Sequence, residues 1–523
     1  MHHYAAKASA LVTLLLAFIW AGPTLAKTPS DIAPINAPFA MPQLQRPVFP
    51  DHSVNIKDFG AQAMGSRSES DAVSNTQAIH SAIAAVHHAG GGKVVIPKGR
   101  WLTGPIHLMS NINLHLEKGA EVVFSSHKDD YLPVVLQRHE GVEALNYSPL
   151  IYGTHLDKIA ITGQGSFNGQ GQHWWSWFEQ YGPPPRAKAA KEPLSRRHFG
   201  KSVGMEGMRP GFLVLWQSKN ILIEGVSFHN TPFWNIHLVY SENVIVRDVH
   251  VNSLEAPNGD GIVVDSSKNV LLEYNHLETG DDAVVIKSGM NEDGLNINIP
   301  TENVVVRHFK AVNVRTGSGG VVFGSETSGG IRNVYVYDGL FDGADRGIRF
   351  KTERGRGNVI ENIYVRDIKM KNITYEAINI NTFYTGPEAV GPSPIVRNIY
   401  IRNVEVDGVP TGISFIGLPE KWLENINLDN ISIKNAKVGA RFNRVKDLNL
   451  NNVSLSSDKR ALTLNQVYEA HLDGVSLKDK TGGKPMLVTG PDSGALFIDN
   501  TDSVELGDGI NNNILNPEDK QAW

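Results

Sequence analysis

The 523-residue chain contains no cysteine. Disulfides, a thiolate nucleophile and cysteine-ligated zinc or iron–sulfur centres are therefore excluded. A basic excess is also missing. The 49 Lys+Arg and 54 Asp+Glu give a formal net charge of −5, which argues against a general nucleic-acid binder. Charged residues reach only 20%, against 41% hydrophobic, a balance that supports a packed core rather than a disordered chain. Beyond residue 26 no stretch is apolar enough to span a bilayer.

What is present begins with an address. Lys7 precedes an apolar run from Ala8 to Ala21, followed by Gly22-Pro23 and the small-residue exit Thr24-Leu25-Ala26. Residues 1–26 thus read as a secretory signal peptide, and the chain as an exported protein, periplasmic or extracellular. Residues 27–50 carry Pro29, Pro34, Pro38, Pro42, Pro47 and Pro50, which predicts an extended tether or a strand lead-in. Ala72, Val73, Ile79, Ile83, Ala84 and Val86 recur at near-helical spacing before Gly90-Gly91-Gly92. They predict one N-terminal helix over 71–88.

Asparagine is abundant, with 42 residues, 35 of them from Asn220 onward. Short alternating segments open at Asn220, Asn243, Asn269, Asn303, Asn333, Asn362, Asn398, Asn425, Asp447 and Glu469. Their starts lie 22 to 36 residues apart. A constant minimum with irregular excess describes a coil of fixed size carrying loops of variable length. Within each segment apolar and polar residues alternate, the period of a half-buried strand. No such unit buries its apolar face alone, so neighbours must stack. The expected fold is all-β, a single-stranded right-handed parallel β-helix over 51–505, with a tail over 506–523 and asparagine ladders at equivalent turns. A leucine-rich repeat is disfavoured, because strict Leu spacing and a helix in every repeat are absent.

Five polar clusters fall at coil spacing: Asn258-Gly259-Asp260, Gly280-Asp281-Asp282, Gly317-Ser318-Gly319, Arg349-Phe350-Lys351 and Thr382-Phe383-Tyr384. One cluster per coil gathers three carboxylates, two cations and an aromatic on one side of a solenoid. Carboxyl groups flanking a glycosidic oxygen can act as general acid and base. Crowding among them raises the proton affinity of at least one. Arg349 and Lys351 suit a substrate carboxylate. The competing readings are turn-capping aspartates and a surface ion-pair network.

These motifs resemble glycoside hydrolase family 28, the polygalacturonase family, together with Val54-Asn55-Ile56-Lys57-Asp58-Phe59-Gly60, Asn75-Thr76-Gln77-Ala78-Ile79 and Tyr152. The flanks GDDAVVIKSG, GGVVFGSETSGG and DRGIRFKT look like bacterial members, many of them exo-acting. The resemblance implies hydrolysis of a pectic chain with inversion, without cofactor or metal. It implies Asp281 as general acid, and Asp260 and Asp282 as the pair that activates water. Arg349 and Lys351 would hold a galacturonate carboxylate, Tyr384 would contact substrate, and Asn258 and Ser318 would complete the substrate-binding motifs. Two departures stand out. Ser318 occupies the place of the family's histidine, and Val263 that of an aspartate. These leave rhamnogalacturonan, xylogalacturonan or a rhamnoside as alternative substrates. A calcium-dependent lyase and a non-catalytic polysaccharide-binding solenoid are the other classes weighed. Trp234 and His237, one coil before Asp260, either line a subsite or pack. Trp174, Trp175, Trp177 and Tyr181 in the insertion before Asn220 either stack on sugar or pack. The expected partner is a pectic oligo- or polysaccharide bound by a monomer, with no nucleic acid and no membrane.

Overall fold

The computed structural model describes residues 28–65, 71–182, 186–198, 207–313, 317–499, 504–507 and 514–515. The signal-peptide reading of residues 1–26 lies outside the described residues. So does most of the 506–523 tail, although a short strand at Ile514–Leu515 still pairs with the coil of Leu496, beyond the expected end of the solenoid.

Alternation produces the fold directly. Val244, Val270, Val304, Val334, Ile363, Ile399 and Ile426 stand in register on successive parallel strands. All of them are buried in one continuous core. Each such side chain contributes about 1.5–3 kcal/mol by leaving water. The chain therefore winds as a right-handed parallel β-helix.

Asparagine fixes the turns. Asn220, Asn243, Asn269, Asn303, Asn333, Asn362, Asn398 and Asn425 all have φ between 51° and 57°. Among non-glycine residues, asparagine tolerates this left-handed region best. Each amide donates from Nδ2 to Oδ1 of the preceding rung. The distance is 3.3 Å from Asn243 to Asn220, 3.1 Å from Asn269 to Asn243 and 2.9 Å from Asn425 to Asn398. The expected ladder is present. Replacing an interior rung, Asn303→Ala, loses the bonds to Asn269 and from Asn333, roughly 0.5–1.5 kcal/mol each. Alanine also pays about 1–2 kcal/mol for the left-handed backbone. The expected loss in urea unfolding is about 2–5 kcal/mol, and Asn303→Gly, which spares the backbone strain, should lose distinctly less.

The helix Asp71–His88 caps the first coils, with Ile79, Ala82, Ile83 and Val86 buried in the core. It is not the only helix, and this corrects the expectation of one. Gln172–Tyr181 and Asn291–Ile297 are also helical. Trp174, Trp177, Phe178 and Tyr181 sit at i, i+3, i+4 and i+7, a helical stripe. Trp174 is fully buried against Tyr131 and Tyr147, and Lys128 Nζ lies 3.7 Å from the Trp177 ring centroid. These two indoles pack into the body of the protein.

The Pro-rich segment lies along the outside of the solenoid as an irregular strap. Leu44, Ile32, Ile35 and Phe39 pack on an outward apolar row that includes Leu222, Ile245, Leu271 and Val305. Its carbonyls are held by buried arginines. Arg247 Nη2 donates to Pro29 O at 2.9 Å, and Arg307 donates to Ala33 O at 2.9 Å and Pro34 O at 3.0 Å. Glu273 lies between the two guanidiniums, 2.7 Å from each.

Candidate active site

One parallel sheet carries the site. Its strands include Ile236–Val239, Ile262–Asp265, Val284–Lys287, Gly319–Gly324, Arg346–Lys351 and Glu376–Asn381. Ile262 lies beside Val284, Val284 beside Val321, and Val321 beside Ile348. Asp260 and Asp282 each stand two residues before their strand, so they are stacked on consecutive coils. Backbone bonds fix that spacing: Gly261 N donates to Asp282 O at 2.9 Å, and Ala283 N to Gly319 O at 2.8 Å.

Asp281, Asp282, Asp260, Lys351, Arg349 and Tyr384 come together. Lys351 Nζ lies 2.6 Å from Asp282 Oδ2, and Arg349 Nη1 lies 3.9 Å from Asp282 Oδ1. That Oδ1 is buried without a hydrogen-bond partner. The Asp282 N–H donates to Asp281 Oδ1 at 2.9 Å, and Thr279 Oγ1 donates to Asp281 O at 2.7 Å. The Tyr384 ring covers both cations, with its centroid 5.7 Å from Arg349 Cζ and 5.6 Å from Lys351 Nζ. At 38% exposure it is the accessible edge of the cluster.

Burial is the largest influence on the carboxyls, ahead of the mutual repulsion on which the sequence argument relied. Burial, then the Asp282 charge, pushes Asp281 up to about 6. Burial, then the Asp281 charge, pushes Asp260 well above the usual carboxylate range. Burial alone would lower Lys351, yet the Asp282 charge holds it above the ordinary lysine value.

The other expected positions have specific neighbours. Ser318 is buried, on a loop anchored where Gly317 N donates to Asp345 Oδ2 at 2.8 Å and the Arg349 guanidinium donates to Gly317 O. Asn258 Oδ1 accepts from Arg209 Nη2 at 2.7 Å. His237 is buried with Nε2 3.3 Å from Asp265 Oδ2, and the Trp234 ring meets it edge-on at 4.9 Å. Val263 joins Phe233, Trp234, Val285 and Val322 in an apolar cluster. The charge-for-valine departure is thus matched by hydrocarbon around it.

Three cationic groups escaped the sequence reading. Lys287 Nζ pairs with Glu326 at 2.6 Å and lies 4.5 Å from the Trp234 centroid. Burial opposes its charge, but Glu326 and Asp260 hold it above the lysine range. Arg209 donates to Pro257 O at 2.6 Å and Pro232 O at 2.9 Å, stands 5.0 Å from the Phe233 ring, and is lowered to about 10 by burial. Arg138 pairs with Asp265 at 2.8 Å. Lys287 was legible in principle, since it shares the strand of Val285 two residues on. Arg209 and Arg138 lie outside the repeat, where no register betrays them.

Arg138 belongs to an antiparallel hairpin, Val135–His139 with Val142–Asn146. The hairpin crosses the site sheet. His139 stacks on Phe233 at 4.7 Å, Gly141 O accepts from Met290 N at 2.9 Å, and Glu143 N donates to Asp293 Oδ2 at 3.0 Å. Arg209 lies close enough to Asp260 and Asp281 for their charges to act on it.

The sequence profile of "Glycosyl hydrolases family 28" matches residues 199–434. A probable polygalacturonase of Vitis vinifera is 30% identical over 385 residues, 70% of this chain and 71% of the plant protein. An exo-poly-alpha-D-galacturonosidase of Dickeya chrysanthemi is 26% identical over 68% of this chain and 62% of its own length. Among solved structures, a hyperthermoactive exopolygalacturonase from Thermotoga maritima superposes with a TM-score of 0.71 at 36% identity, covering 77% of this chain and 91% of that one. A family 28 exopolygalacturonase from Yersinia enterocolitica shares the fold at a TM-score of 0.60 and 18% identity. With its β-helix, its stacked carboxylates and these relatives, the chain belongs to glycosyl hydrolase family 28.

Proposed function

We propose that the protein cleaves a polygalacturonate-like pectic chain from its end, with inversion. The carrying observation is the placement of three carboxyl groups, Asp260 and Asp282 buried and Asp281 half-buried, on two stacked coils beside Arg349, Lys351 and Tyr384. Asp281, with its proton affinity raised, protonates the glycosidic oxygen as the bond to the anomeric carbon breaks. Asp260 and Asp282 together orient a water on the opposite face of the sugar, and Asp282, ion-paired with Lys351, takes its proton as the new C–O bond forms. The unpartnered Asp282 Oδ1 supports its part in this. Arg349 offers the fork, and Lys351 the point charge, for a galacturonate carboxylate.

The exo-acting relatives support attack at a chain end. Product sizing from polygalacturonate over time tests this. Mono- or digalacturonate without intermediate oligomers is expected from the first minutes. An early ladder of oligomers would sink the exo reading. Saturating turnover of rhamnogalacturonan or xylogalacturonan with none of polygalacturonate would move the substrate to another pectic linkage.

A further inference from the structure

Outside the cleft, the strands His250–Ser253 and His276–Thr279 pair in parallel, with His250 beside His276 and Asn252 beside Glu278. Alternation sends Val251 and Leu277 into the core, which leaves His250, His276 and Glu278 on the outer face. Their side chains are 39%, 30% and 26% exposed, open to a small ion and still partly fixed. His250 Nε2 lies 3.4 Å from Glu278 Oε2, and His276 Nε2 lies 3.5 Å from Glu278 Oε1. One ligand atom from each residue falls within 4.8 Å of the other two. His276 Nε2 is shielded from solvent yet makes no hydrogen bond.

From this geometry we propose that His250, His276 and Glu278 bind one divalent transition-metal ion of the zinc class, clamping together the two coils that carry Asp260 and Asp281–Asp282. Ligand bonds of about 2.0–2.2 Å in a tetrahedral site put donor atoms roughly 3.2–3.6 Å apart; each imidazole is already at that spacing from one Glu278 oxygen, His250 from Oε2 and His276 from Oε1, and drawing all three residues onto one ion closes a set now within 4.8 Å. The imidazole rings are nearly parallel, at 24° and 4.9 Å between centroids. Directing both lone pairs at one ion requires rotation about χ2, which is a soft torsion in histidine. Imidazole and carboxylate donors favour zinc-like ions, whereas magnesium prefers an all-oxygen shell. Ligation needs neutral imidazole. The proposed hydrolysis draws on no ion at this face, so the site acts as a staple and leaves the chemistry to the aspartates.

The test is calorimetric titration of zinc chloride into the full chain after dialysis against chelator. One ion per chain at micromolar zinc is expected. Affinity should fall at least about tenfold in His276→Asn and in Glu278→Gln and stay unchanged in His80→Asn, which alters a histidine pair lying elsewhere. Zinc should also slow thermal inactivation of the wild type but not of Glu278→Gln, and magnesium should slow neither. Activity on pectic substrate without added metal, retained by all three variants, shows that they fold. The absence of binding at micromolar zinc overturns the proposal, as does zinc binding that His276→Asn and Glu278→Gln leave unaltered.

Discussion

Asp281→Asn is expected to lower kcat by about 10²- to 10⁴-fold, the usual contribution of a positioned general acid, with KM little changed. Asparagine keeps the shape and can still accept the Asp282 N–H, but it has no proton to give. The pH profile identifies the role more sharply than the rate alone. Asp281 titrates near 6 because burial and the Asp282 charge disfavour its ionised form. The acid form is therefore present below about 6 and is lost as pH rises through it, so wild-type kcat should decline on that alkaline side. The residual activity of Asp281→Asn should lack that decline. A variant with wild-type kcat, or one that retains the same alkaline limb, removes Asp281 from the role of proton donor.

The largest loss of stability is expected at Glu273. Its carboxylate is fully buried between Arg247 and Arg307, which are themselves 0% and 2% exposed. Glu273→Leu leaves two buried guanidiniums without their shared counter-ion. Breaking a buried pair in this way costs about 3–5 kcal/mol. Urea unfolding reads the loss. Limited chymotryptic cleavage after Phe39, in the strap, reads a second effect, because the same arginines hold the carbonyls of Pro29, Ala33 and Pro34. An exposed pair provides the contrast: Glu302→Leu, which removes the partner of Arg332, should change stability by no more than about 1 kcal/mol. If Glu273→Leu falls in that same range, Glu224 alone is sufficient for Arg247.

The solenoid was legible because its information is repeated. Alternation gave the strands, and the recurrent Asn starts marked the turns that the structure builds as a ladder. The carboxylates and the Arg349–Lys351 pair were legible for the same reason, since each falls at one coil's spacing from the next. What lies outside the repeat was not. The hairpin bearing Arg138 and the loop bearing Arg209 reach the site by tertiary packing, and a single sequence carries no period to announce that. The helix at Gln172–Tyr181 was overlooked although its aromatic stripe has helical spacing, because a run of tryptophans before a cleft also suits sugar stacking. The Asp281 and Asp260 shifts have burial as their first cause, ahead of the neighbouring charge. The sequence displays neighbouring charges but hides how far the coil shields them from water.

The strap imposes an order on assembly. Pro29 meets Arg247 across 218 residues of chain, and Ala33 meets Arg307 across 274. A ribosome therefore finishes the strap long before it has made the surface that receives it. During that interval Ile32, Ile35 and Phe39 have no partner, and the coils of Leu271 and Val305 are born with a bare outer row. Docking closes a loop spanning more than half the protein, so it comes late, after stacking has aligned successive coils one by one. The strap is thus made well before the coils it covers and is among the last elements to fold.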